Sequence, residues 1–194
     1  MAWAPWAVRH LVLGDQRDWF PPTHMTRRER LLLYRLARRL APGATIVEVG
    51  SYVGASACFL ASAAREVGGG ARVHCVDTWS NEGMSEGPRD TWLEFTRNVA
   101  HHRGILVPHR GRSTDVAGRF SLPVSLLFVD GDHSYDGCRA DLAAWLPHVA
   151  SGAVVVMHDF SWATGVQRAV SELLAPRQSG RSHVVVSTFW ARVR

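Results

Sequence analysis

The 194-residue chain contains no lysine. Its net charge of +5 rests on arginine alone, 22 arginines against 17 acidic residues. Amine chemistry is therefore excluded, and any general base must be His, Asp, Glu, Tyr or Cys. Cysteine is scarce: Cys58, Cys75 and Cys138 are scattered, with neither a disulfide framework nor CxxC metal spacing. Reduced thiols in a cytoplasmic protein are the expectation. Long apolar runs are missing as well. LLFV and AVVVM fall far short of the about 20 residues a bilayer span needs. The opening MAWAPWAVRH lacks the apolar stretch and small-residue cleavage pattern of a secretion signal. Repeats, low-complexity tracts and linkers are absent too, so the length fits one domain with a sizeable core.

The arginines are densest in TRRERLLLYRLARRL, Thr26 to Leu40. Leu32, Leu33, Leu36 and Leu40 recur at helical spacing, which predicts an amphipathic packing helix with its arginines toward solvent. Interleaved aromatics and a basic tail are lacking, so neither nucleic acid nor a membrane is an expected partner. Residues 1–40 read as an N-terminal segment plus this helix, and residues 41–194 as the core. Trp3, Trp6 and Trp19 need cover, and a lid, a homodimer contact or core packing would each supply it.

Beyond Pro42 and Gly43, strands and helices alternate. ATIVEVG, RVHCVD, ILVPHRG, VSLLFVD and SGAVVVMHDF read as strands, and SHVVVSTFWARVR as one more or a tight pair. Helices are expected over about Ala55 to Val67, Arg89 to His101 and Tyr135 to Leu146, with others in STDVAGRF and GVQRAVSELL. This is an α/β pattern with a mostly parallel sheet covered on both faces. Ligands in such folds sit beyond the carboxyl ends of the strands. Glu48–Gly50, Asp77, Ser113, Asp130–His133 and His158–Asp159 all fall there.

EVGSYVGAS follows a strand and opens a helix, as a nucleotide-type loop does. Gly50 and Gly54 are spaced GxxxG, without the third glycine of the dinucleotide pattern, and Glu48 would repel a pyrophosphate. Both features disfavour NAD and point to S-adenosylmethionine, with its sulfonium, ammonium and ribose. Asp77, 29 residues after Glu48, is placed to accept ribose hydroxyls. Trp79 could stack on adenine. Asp77–Thr78 also reads as a cap, and Trp79 as core.

EVGSYVGAS, CVDTW, GRSTD, FVDGDHSYDG and GAVVVMHDF, in this order, resemble a class I S-adenosylmethionine-dependent methyltransferase. More narrowly they resemble the metal-dependent small-molecule O-methyltransferases: catechol O-methyltransferase and bacterial enzymes that methylate sugars and phenols in antibiotic pathways. The resemblance covers about Ala44 to Phe160. It implies a Rossmann-like fold with a mostly parallel seven-stranded sheet. Glu48, Gly50 and Tyr52 would line the methionine end of the cofactor, Asp77 would bind the ribose, and Ser113 would lie near the adenine. Ser113 alone reads as a helix N-cap. Ser51, Gly54, Ser56, Thr78, Arg112 and Asp130 complete the expected cofactor set.

FVDGDHSYDG places three acids and a histidine at the end of a buried strand. If its strand neighbours that of GAVVVMHDF, Asp130, His158 and Asp159 can share one cation, and the resemblance implies the same ligands. His158 departs from the pattern, since relatives carry a carboxylate there. Mg²⁺ or Mn²⁺ is the expected metal, with an imidazole favouring transition ions. Alternatively, His158 is an acid–base group. His133 falls where the catechol enzyme places its lysine base, and Asp132 where some relatives use an aspartate. The imidazole titrates near neutrality, which favours His133. A capped, purely structural turn is the bland alternative. The expected function is methyl transfer to a hydroxyl of a phenol, catechol or sugar in secondary metabolism. A metal-free methyltransferase and a non-catalytic cofactor-binding accessory protein are the alternatives.

Overall fold

The computed structural model of the chain describes residues 15–82 and 86–194. Trp3 and Trp6 lie outside these residues, as do residues 83–85 of the loop Asn81 to Pro88. Thr26 starts α1 (Arg27–Ala37) with a capping box: its hydroxyl accepts the Glu29 amide, and the Glu29 carboxylate accepts the Thr26 amide. Gly43, in the left-handed region, turns the chain into β1 (Thr45–Val49). There follow α2 (Ala55–Val67), β2 (Arg72–Asp77), α3 (Trp92–Asn98), β3 (Leu106–Arg110) and α4 (Ser113–Ala117). The second half runs β4 (Val124–Val129), α5 (Tyr135–Trp145), β5 (Val149–Met157), α6 (Thr164–Ala169), β6 (Gln178–Val185) and β7 (Thr188–Val193).

One seven-stranded sheet takes the order β3-β2-β1-β4-β5-β7-β6, parallel from β3 to β5 and closed by an antiparallel hairpin. Strand periodicity divides the core in two. Ile46, Leu126, Phe128 and Val156 pack with α1–α3 on one face, and Val47, Leu127, Val129 and Val155 with α4–α6 on the other. The expected parallel sheet, helix-covered on both faces, is the sheet observed. Strands buried on both faces must be almost wholly apolar, which is why they were readable.

Helix α1 departs from its expected polarity: Arg30 is buried, with its guanidinium 4.8 Å from the Trp19 ring centroid and 5.3 Å from that of Phe59. Aromatic faces here take the place of water. Neither its Nε nor its Nη1 has a hydrogen-bond partner.

The chain builds outward from β1 through β2 to β3, then returns to β4 on the other side of β1. The strand order reverses there, and the crevice between the carboxyl ends of β1 and β4 is the ligand position of such sheets. Gly50 closes that crevice. Its φ is +86°, and a Cβ there would lie 2.2 Å from the Asp130 carbonyl oxygen. We expect Gly50→Ala to lower stability by about 3 kcal/mol or more, since strain and a backbone clash add. Urea denaturation of the purified variant measures this.

Candidate active site

The β1–α2 loop holds Glu48 fully buried, and its Oε2 accepts the Ser51 hydroxyl at 2.6 Å. Its Oε1 has no partner. Burial lifts the Glu48 pKa to about 7, against the hydrogen bond from Ser51. Gly54 occupies the N-cap of α2 in the left-handed region and supplies no side-chain cap. The first amides of α2, beside the buried Ser56, therefore remain donors for a ligand. Tyr52, also left-handed, donates its hydroxyl to Glu86 and accepts from Arg89 at 3.2 Å.

Asp77, at the tip of β2, accepts the amides of Tyr52 at 2.8 Å and Trp79 at 2.6 Å. These two bonds are those that the turn-cap reading of Asp77 expects. Thr78 is exposed, its hydroxyl 2.8 Å from that of Ser80. Of its two readings, Trp79 takes the core one: it is wholly buried, packed on Trp92 and Phe95, and its indole N–H donates to the Tyr52 carbonyl. It has no face left for adenine. The N-cap of α4 is the exposed Arg112, not Ser113, whose hydroxyl accepts the Trp145 indole at 2.8 Å.

Strands β4 and β5 end in register at Val129 and Met157, so Asp130 and His158–Asp159 emerge side by side. His158 Nδ1 lies 2.9 Å from Asp130 Oδ1 and 3.1 Å from Asp159 Oδ2. Its Nε2 is 3.4 Å from Glu29 Oε1. His133 Nε2 lies 2.8 Å from the same Asp159 oxygen and 4.0 Å from Asp130 Oδ1. The His158 side chain is 6% exposed and that of His133 40%. Burial opposes charge on His158, but Asp130, Asp159 and Glu29 outweigh it and raise its pKa to about 12. Asp130 and Asp159 raise His133 to about 9, against its burial. Burial would push Asp159 up, yet His133 and His158 hold it below the usual carboxylate range. Asp159 takes φ +55°, and its carboxylate accepts the Trp162 indole at 2.8 Å. Trp162 is itself 61% exposed, edge-on to His133 at 5.4 Å.

This donor set fits a divalent cation. Neither nitrogen of His158 makes an aligned hydrogen bond, so its carboxylate contacts are Coulombic. Ligand atoms at about 2.1 Å from an octahedral ion lie about 3 Å apart, close to the spacings at His158. Asp130, His133 and Asp159 also bring one donor atom each within 4.8 Å of one another. The structure thus sets a second imidazole beside the three expected ligands. Asp132, the other expected base, lies in the loop before α5. It is exposed, its Oδ1 accepts the Ser134 amide at 2.7 Å, and Ser134 in turn caps α5. Gly165 keeps the His133 loop in place, since a Cβ there would lie 2.6 Å from the His133 carbonyl oxygen.

A second group joins Asp18, Cys58, His101 and His102. Asp18 Oδ1 lies 2.8 Å from His101 Nε2 and 2.7 Å from His102 Nε2, while Arg65 donates to His102 Nδ1 at 2.8 Å. With Nδ1 accepting, His102 Nε2 keeps its proton and donates to Asp18, so the group is a hydrogen-bonded clamp rather than a metal cage. Glu29 and Trp162 were not anticipated at all. Glu29 reads as a cap, and Trp162 carries no motif.

A family model described as a methyltransferase domain matches residues 47–160. Among solved structures, an O-methyltransferase from Bacillus cereus in complex with SAH superposes with a TM-score of 0.69 at 17% identity, covering 97% of this chain and 90% of that one. The O-methyltransferase TomG from Streptomyces achromogenes, involved in tomaymycin synthesis and solved with SAM, gives 0.65 at 21%, covering 97% and 88%. CalS11, a TDP-rhamnose 3'-O-methyltransferase of calicheamicin biosynthesis, gives 0.66 at 18%, covering 97% and 88%.

The raised Glu48 pKa carries a stability signature. The group folds more readily neutral, so its contribution is complete below pH 4.5 and is lost as pH rises through about 7. We expect Glu48→Gln to match wild type near pH 4 and to exceed it by about 3 kcal/mol above pH 8, at 1.36 kcal/mol per pKa unit. Thermal melts across this range test it.

Proposed function

The chain belongs to the methyltransferase domain family, and on that premise we propose that it moves the methyl group of S-adenosylmethionine to a hydroxyl oxygen of a small molecule. A divalent cation, Mg²⁺ or Mn²⁺ or another transition ion, would be held by Asp130, His158 and Asp159. One observation carries the reading: His133, His158, Asp130 and Asp159 converge at 2.8–3.1 Å, at the tip of the strand whose Asp130 carbonyl abuts Gly50 of the glycine loop.

The glycine loop and Asp77 would seat the cofactor with its sulfonium methyl toward Asp130. A cation, when bound, would polarise the acceptor hydroxyl and lower its pKa. His133 then has a defined task. Between two uncompensated carboxylates it holds its proton, but with their charge balanced its Nε2 can take the proton of the acceptor. As the acceptor oxygen bonds to the methyl carbon, the carbon–sulfur bond breaks and its electron pair stays on sulfur, leaving S-adenosylhomocysteine. Positioning of oxygen and methyl in line supplies much of the rate. The exposed ring of Trp162 offers an apolar platform beside His133, which suits a phenol, a catechol or a sugar face. The antibiotic-pathway roles of TomG and CalS11 support an acceptor from secondary metabolism.

A second, metal-free reading rests on His158 itself. As an imidazolium it offsets part of the charge of Glu29, Asp130 and Asp159 without any ion, and His133 with Asp159 would provide the acid–base pair.

Calorimetric titration of EDTA-treated protein with S-adenosylhomocysteine, then with Mg²⁺, Mn²⁺ and Zn²⁺, separates the readings. We expect binding of the homocysteine product and a separate metal signal that disappears in Asp130→Ala. Product binding with no metal signal selects the metal-free reading, and binding of neither defeats both. For the acceptor platform, we expect Trp162→Ala to raise acceptor KM roughly tenfold, with kcat changed less than about threefold, as loss of uniform binding requires. Steady-state kinetics over a panel of phenols, catechols and nucleotide sugars measure it.

A further inference from the structure

Glu29 is engaged on both carboxylate oxygens. Its Oε2 completes the α1 capping box, accepting the Thr26 amide at 2.9 Å and the Thr26 hydroxyl at 2.8 Å. Its Oε1 accepts the Ser187 amide at 2.9 Å and the Thr188 hydroxyl at 3.0 Å. The same Oε1 lies 3.4 Å from His158 Nε2. Glu29 is 1% exposed and His158 6%, so water does not compete for these atoms. A capping box needs only one carboxylate oxygen. An amide oxygen could also accept from Ser187 and Thr188, though less strongly than a carboxylate. The His158 imidazole, 3.4 Å away, is the one neighbour of Oε1 named here that can carry positive charge.

His158 therefore has a carboxylate behind it and two in front, Asp130 and Asp159 on the Nδ1 side. We infer that Glu29 is a positioning residue for metal binding: its charge, 3.4 Å from Nε2, favours the Nε2–H tautomer of His158 and so leaves the Nδ1 lone pair for a divalent cation between Asp130 and Asp159. This inference rests on the metal-dependent reading above. The physical precedent is general. A histidine ligand whose far nitrogen donates to a carboxylate is fixed in tautomer and ring orientation, and is made a stronger donor.

The test is Mn²⁺ titration of the EDTA-treated full chain, with a melting curve for every variant. We expect Glu29→Gln to weaken Mn²⁺ binding 10- to 100-fold, the usual effect of losing such a partner. Thr188→Val keeps the carboxylate and should lower the melting temperature while leaving Mn²⁺ affinity within about twofold. In a His158→Asn background, Glu29→Gln should cause no further loss. Should Glu29→Gln fail to fold, Glu29→Asp, which keeps the charge but withdraws it from the ring, is read instead and should weaken binding by roughly tenfold. Unchanged Mn²⁺ affinity in a folded Glu29 variant would reduce Glu29 to a helix and hairpin clamp and overturn the inference alone. Absence of Mn²⁺ binding in the wild-type chain would defeat the metal-dependent reading, and this inference with it.

Discussion

Charge balance around one buried imidazole governs the working rim of this protein. Glu29, Asp130 and Asp159 all face His158, and Glu29 and His158 are almost wholly excluded from water. Three carboxylates at such spacing, one buried and two half-buried, repel one another strongly without positive charge among them. Arginine, the only permanent cation in the chain, forms no ion pair with any of these three acids among the described residues. The balance falls to imidazolium protons or to a bound cation. Four separate elements supply the groups: α1, the tips of β4 and β5, and the loop before α5. The electrostatics thus tie α1 and the loop before α5 to the paired strands β4 and β5.

The two halves of the site share a wall. Gly50 lies against the Asp130 carbonyl, so the loop suited to a cofactor and the acids suited to a cation are held at one fixed separation. That separation is set by backbone contact, which is stiffer than any side-chain contact could be. Glu48 sits behind the same wall with one carboxylate oxygen unpartnered. A polar atom so placed is tolerated where a ligand will meet it. Asp159 adds to the stiffness: its left-handed backbone is secured by the Ala163 amide on its carbonyl and the Trp162 indole on its carboxylate.

Much of this was legible in the sequence, for identifiable reasons. Helix α2 runs over Ala55–Val67 as expected, because glycines mark both of its ends. The β4 and β5 runs were clear because a doubly covered strand has no polar side. The acids at their ends stood out against that background. Trp79 stayed between two readings because an aromatic after a strand looks alike whether it lines a pocket or fills the core. Only the packing of Trp92 and Phe95 decides. Asp18 and its partners His101 and His102 are 83 and 84 residues apart, beyond any local periodicity. Glu29 was hidden more thoroughly. Its spacing from Thr26 gives a complete local explanation, and nothing in TRRER hints at a second set of partners.

Those partners are far along the chain. Glu29 meets Ser187 and Thr188 across separations of 158 and 159 residues. Contacts of such separation are late events in folding, since most of the chain must be ordered before closing the loop is rewarded. During synthesis, helix α1 and the glycine loop leave the ribosome long before the hairpin of β6 and β7 exists. Until that hairpin arrives, Oε1 of Glu29 lacks both of its hairpin donors, and the carboxylate facing His158 is held from one side only. The hairpin that completes the sheet beside β5 is thus also the element that completes the rim.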